Sequence, residues 1–122
     1  MIVLHVDDDP DDSALFCEAV KEAAPSFICL VADSAAAAFE ILSDREKIPD
    51  YIFLDMSMPK MNGLECLKLI KNNPALNHIK VIMYSTASDP IHMKEFRQFG
   101  ASFLSKADRF ETLVKNLSKI LN

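Results

Sequence analysis

Ile2-Val3-Leu4-His5-Val6 is a short, mostly apolar run rich in β-branched residues, and Asp7-Asp8-Asp9-Pro10 stops it with three carboxylates and a proline. A continuous apolar run of this length suits a strand covered on both faces. Proline suits the first turn of a helix, where its missing N–H has no partner to lose. The segment therefore reads as a strand feeding straight into a helix through an acidic junction. The same grammar repeats along the chain. Apolar runs at residues 27–31, 51–54, 80–84 and 102–104 alternate with stretches of helical spacing. Phe110, Leu113, Val114, Leu117, Ile120 and Leu121 step by three and four, the stripe of one helix face. Leu64, Leu67 and Ile70 make a shorter stripe, and Leu15, Ala19, Val20 and Ala23 another.

Punctuation agrees. Ser34 precedes the alanine-rich residues 35–42 as an N-cap, Asn62-Gly63 marks a turn, and Asp89-Pro90 caps and starts a fourth helix. Gly100 follows that helix where a left-handed residue is needed, and Asp108 stands ready to cap a fifth. Five β–α units predict an α/β fold, a parallel sheet with helices on both faces. They read as a single domain over residues 1–122, with no output domain in the chain.

Composition narrows the function. The 122 residues carry Lys+Arg 13 and Asp+Glu 18, a net charge of −5, and half are hydrophobic. That is ample for one core, with no need of staples. A net acidic chain lacks the clustered basic face that nucleic-acid binding demands. No apolar run approaches the roughly 20 residues that span a bilayer, and the N-terminus has no basic leader. Cys17, Cys29 and Cys66 are odd in number and lack a CxxC spacing, which disfavours a disulfide framework or a zinc site. They read as small core residues in a reducing, cytoplasmic setting. His5, His78 and His92 share no spacing that suggests a site and read as structural; Met56, Met58 and Met61 read as packing.

The polar residues are distributed unevenly. Strand one ends in Asp7-Asp8-Asp9, strand three in Asp55, strand four in Ser85-Thr86 and strand five in Ser105-Lys106. In an open parallel sheet all carboxyl ends face one crevice, where ligands bind. Clustered carboxylates repel one another, and a divalent cation relieves the repulsion. Oxygen-only donors point to Mg²⁺, Mn²⁺ or Ca²⁺ rather than to zinc. A carboxylate can also act as a nucleophile toward phosphorus, and the charge on a transferring phosphoryl group then needs a metal, a lysine and small donors. Asp9, Asp11 and Asp12 read as helix-dipole and solubility residues rather than ligands.

The order of these motifs resembles the receiver domain of bacterial two-component response regulators, of the CheY type. The residues that carry the resemblance are Val6-Asp7-Asp8-Asp9, Leu54-Asp55-Met56 with Pro59 and Asn62-Gly63, Ser85-Thr86, and Gly100-Ala101 with Phe103-Leu104 and Lys106. It implies a flavodoxin-like, doubly wound sheet of order 2-1-3-4-5. It implies that Asp55 accepts the phosphoryl group. Mg²⁺ is then held by Asp8, Asp55 and the backbone carbonyl of Ser57, with Asp7 acting mainly through water. Lys106 contacts the phosphoryl group, Ser85 and Phe103 act as the switch pair, and Ser57 and Thr86 tune hydrolysis. It implies a histidine kinase or phosphotransfer protein as donor, or a small molecule such as acetyl phosphate. Further implied are a downstream protein at the face of the fourth helix, fifth strand and fifth helix, and a monomer or a phosphorylation-dependent homodimer. Such a domain catalyses only its own phosphorylation and dephosphorylation.

Two departures stand out. The family usually has proline after the lysine, in a cis peptide; here Ala107 follows Lys106. A non-proline cis bond costs about 2.5–4 kcal/mol, so a trans bond and a reshaped loop to Arg109 are expected. Phe103 also lacks the hydroxyl of the tyrosine often found at its position. Two rival readings are an aspartyl-nucleophile phosphatase of the haloacid dehalogenase type and an unphosphorylated adaptor. The first wants Asp-x-Asp after its first strand, whereas Ser57 stands two places after Asp55; the second leaves the acidic residues without a role.

Overall fold

The computed structural model describes residues 1–55, 63–85, 90–106 and 109–122. The elements run β1 (Ile2–Val6), α1 (Pro10–Ala23), β2 (Ile28–Ala32), α2 (Ala35–Leu42), a 3₁₀ turn (Arg45–Lys47), β3 (Tyr51–Asp55), α3 (Gly63–Lys71), β4 (Lys80–Ser85), α4 (Pro90–Gln98), β5 (Ser102–Ser105) and α5 (Phe110–Leu121). The five strands form one parallel sheet of order β2-β1-β3-β4-β5, as expected.

Strand residues alternate between two cores. Leu4, Val6, Ile52, Leu54, Val81 and Met83 pack under α2, α3 and α4, through Ala38, Leu42, Cys66, Leu67, Ile70 and Phe96. Val3, Phe53, Ile82 and Tyr84 pack under α1 and α5, through Phe16, Ala19, Val20, Leu113 and Leu117. Burial on both faces explains why the central strands are apolar throughout. The edge strands differ: Ile28 of β2 is 59% exposed and Val31 43%. The run at 27–31 is therefore covered only in part, because β2 has a neighbour on one side alone.

Local signals set the boundaries. The Asp9 side chain caps α1, accepting from the backbone N–H of Asp11 and Asp12, and Pro10 opens the helix. Ser34 Oγ accepts from Ala37 N at 3.1 Å and starts α2. Gly100 takes φ +85° after α4, a conformation that glycine alone adopts freely. At α5 the cap position falls on Arg109, which makes no side-chain cap bond. Asp108, Ala107, the Asn62 turn residue, Pro59, Asp89 and the three methionines at 56, 58 and 61 lie outside the described residues.

Two expectations fail. Leu15 is 51% exposed, and the buried face of α1 is instead Ser13, Phe16, Ala19, Val20 and Ala23. The helix is rotated so that the larger Phe16 side chain, not Leu15, is at the centre of the stripe. The second concerns the cysteines. Cys66 is a buried free thiol, but Cys17 of α1 and Cys29 of β2 form a disulfide, with Cα atoms 5.7 Å apart. Helix α1 runs back along the sheet before the chain turns into β2. Cys17 and Cys29 thus come level across the α1–β2 packing, a tertiary register that cysteine spacing does not reveal.

Candidate phosphoryl-acceptor site

Strand register brings the polar strand ends together. Val6 pairs with Leu54, Asp55 with Tyr84, and Ser85 with Ser105. Asp7, Asp55, Ser85 and Lys106 therefore occupy one edge of the sheet. Asp7 and Asp55 are almost wholly buried there, whereas Asp8 is exposed. One carboxylate oxygen from each of Asp7, Asp8 and Asp55 lies within 4.8 Å of the other two. Asp7 is held from both sides. Its N–H donates to the Ala32 carbonyl, and its Oδ1 accepts from the Asp9 N–H at 2.9 Å. Its other oxygen, Oδ2, is buried without a hydrogen-bond partner. A buried carboxylate oxygen of this kind, beside two further carboxylates, fits a hard divalent cation.

Lys106 reaches into the same cluster. Its Nζ lies 3.7 Å from Asp55 Oδ1, 3.5 Å from Asp7 Oδ2 and 3.0 Å from Asp12 Oδ2. Partial burial alone pulls the ammonium pKa down, but the hydrogen bond to Asp12 and the charges of Asp55, Asp7 and Asp12 outweigh it, and the net shift is upward. The amine is thus firmly cationic, and it also sits 5.4 Å over the Tyr84 ring.

Three further residues stand beside this cluster: Asp12, expected only as a helix-dipole residue, His5, expected as structural, and Tyr84. Asp12 makes the shortest ion pair with Lys106. Its signal lay in helix phase: Asp12 precedes Phe16 by four residues and Ala19 by seven, and so shares the inward stripe. His5 is fully buried, stacked on Phe16 at 4.1 Å between ring centroids, with Nε2 3.7 Å from Asp7 Oδ2. Burial pushes its imidazole down to about 4, against the pull of Asp7. Tyr84 stands beside it and completes an aromatic floor with Phe16 and Phe53.

The other expected residues are placed as follows. Ser85 closes β4 opposite Ser105. Phe103 is half-buried in β5, edge-on to Phe96 of α4 at 6.0 Å, with the Arg97 guanidinium 5.6 Å from its ring centroid. Ser57 and Thr86 lie outside the described residues, as does the Lys106–Ala107 step. His78 is exposed just before the amino end of β4, away from the carboxyl ends of the strands. Among the described residues no helix is long and apolar enough to cross a membrane.

Known proteins are similar to this chain in sequence and fold. Residues 3–118 match the response regulator receiver domain. A two-component response regulator of rice, ORR11, is 30% identical over 120 residues, covering 98% of this chain and 80% of that protein. A probable cyclic di-GMP phosphodiesterase of Vibrio cholerae is 36% identical over 88 residues, 72% of this chain. The chain spans 19% of that phosphodiesterase and 46% of the rice regulator ORR1, less than half of these curated relatives. The Mn²⁺-bound form of response regulator Rcp1 superposes with a TM-score of 0.81 at 27% identity, over 98% of this chain and 90% of that one. With strand order, acidic cluster and sequence in agreement, the chain belongs to the response regulator receiver domains of two-component signalling.

Proposed function

We propose that Asp55 accepts a phosphoryl group from the phosphohistidine of a histidine kinase or phosphotransfer protein, and that the resulting acyl phosphate resets a protein-binding surface. One observation carries the reading: a buried Asp55 carboxylate, between two further carboxylates and a lysine ammonium 3.7 Å from its oxygen. An Asp55 oxygen attacks phosphorus, the N–P bond to the donor imidazole breaks, and the imidazole leaves with a proton. Asp7, Asp8, Asp55 and the Ser57 carbonyl would hold Mg²⁺, or Mn²⁺ as in the form of Rcp1 described above. When bound, that cation supplies neutralising charge to the phosphoryl oxygens. Lys106 pairs with a phosphoryl oxygen, and the Ser85 hydroxyl donates to another. Phe103 turns inward as Ser85 moves, and its contact with Phe96 carries the change to α4. The face of α4, β5 and α5 then meets its protein partner, or a second copy of the chain. Thr86 and Ser57 govern the access of hydrolytic water. A cytoplasmic setting follows from such a donor. The domain turns over no substrate beyond its own phosphoryl group.

The test is labelling by radioactive acetyl phosphate with Mg²⁺. The wild type takes label that hydroxylamine releases, as an acyl phosphate must, and Asp55→Asn takes none. Equal labelling of the variant removes Asp55 from the role. Steady turnover of an aryl phosphate identifies a phosphatase instead.

A further inference from the structure

We infer that Asp12 is a positioning residue for Lys106, holding its ammonium in a resting dock from which the phosphoryl group must draw it. The inference rests on the function proposed above and deepens it. Among the described residues three carboxylates surround Lys106 Nζ, and Asp12 is the nearest of them at 3.0 Å, against 3.5 Å for Asp7 and 3.7 Å for Asp55. It is also the one with a direct hydrogen bond to that amine. A charge-assisted bond of this length is stronger than a charge contact beyond 3.5 Å. The geometry is built in. Asp12 occupies the first turn of α1, on the stripe led by Phe16, and that helix is packed beside α5 and stapled to β2. Its Oδ2 there accepts from the Lys106 amine, one residue beyond the end of β5. The Lys106 side chain is 14% exposed and Asp12 41%, so the dock lies at the solvent rim of the pocket, with Asp7 and Asp55 at its base.

Two consequences follow. In the resting state Lys106 is an internal counter-ion shared among Asp7, Asp12 and Asp55. On phosphorylation the ammonium exchanges Asp12 for a phosphoryl oxygen, so the strength of the dock is subtracted from the stability of the phosphorylated state. Asp12 touches neither Asp55 nor the reacting phosphorus in this scheme; it acts only through Lys106.

The experiment is a double-mutant cycle read by titration with beryllium fluoride and Mg²⁺, a phosphoryl mimic, on the intact chain. Asp12→Asn binds the mimic about three- to tenfold more tightly than wild type, the scale of a partly exposed ion pair. Asp12→Glu restores binding toward wild type. In a Lys106→Met background, Asp12→Asn changes nothing, because the group it acts through is gone. A general charge effect of Asp12 would instead give the same tightening in both backgrounds and overturn the proposal. Unchanged affinity of Asp12→Asn in the native background overturns it as well. Urea midpoints of all four proteins separate these effects from altered folding, and Asp12→Ser replaces Asp12→Asn where the latter is unstable. Failure of the wild type to bind the mimic at all is a different result: it removes the proposed function, and the docking role with it.

Discussion

Single residues show where chemistry overrules pattern. Cys66 is buried in the core under α3, and burial pushes its thiol from 9.0 up to about 11. The native thiol keeps its proton between those values while the unfolded one releases it. Stability therefore falls as pH rises from 9 to 11, by about 3 kcal/mol in total. Urea midpoints between pH 8 and 11 should show this decline, and Cys66→Ala should flatten it. A thiol-specific chromophore should find one reactive thiol in denaturant before reduction and three after it. Gly100 gives a second expectation. A Cβ there meets Lys71 at an ordinary 3.6 Å, so Gly100→Ala suffers from its φ of +85° rather than from a clash. It should cost about 1 kcal/mol by chemical denaturation. This left-handed position was legible in sequence, since glycine follows a helical run. The Cys17–Cys29 pairing was not, because residue type and spacing carry no information about which helix face meets which strand.

At the scale of elements, α1 is the instructive case. Its existence was plain from Pro10 and the apolar spacing, and Ala19, Val20 and Ala23 are buried as that spacing predicts; only Leu15 gives way on the inward face, to Phe16. That exchange makes a sharp contrast. Phe16→Ala should cost about 3–5 kcal/mol and Leu15→Ala less than about 0.5 kcal/mol, measured by thermal or urea unfolding. Helix α2 depends on its cap, since its eight residues are few for a helix and it has no acidic residue in its first turn and no basic one in its last. Ser34→Ala should lower stability by about 1 kcal/mol, and Ser34→Asp should restore it. The central strands were readable because burial on both faces removes the polar alternation. Edge strands β2 and β5 were readable only in outline, for one flank of each meets solvent. Lys106 and Asp55 were legible because strand-end chemistry in a parallel sheet converges whatever the loops do. Ser57 and Thr86 lie outside the described residues, and the roles proposed for them rest on the family resemblance alone.

For the whole molecule, the acidic edge links folding to ion binding. Three carboxylates gathered within 4.8 Å favour the folded state more when a divalent cation shares them. Mg²⁺ at ten times its dissociation constant should stabilise the protein by about 1.4 kcal/mol, seen as a higher urea midpoint. Asp8→Asn should abolish that increment, and chelator should return wild type to its starting value. The strand order adds an asymmetry. The disulfide fastens α1 to β2 at one margin of the sheet, while Phe103 and its partner Phe96 stand at the other, on β5 and α4. One margin of the sheet is thus tied covalently, whereas the ring contact at the other is packing alone. Under the switch proposed above, a displacement begun at the central strands would meet a covalent restraint toward β2 and only side-chain packing toward β5.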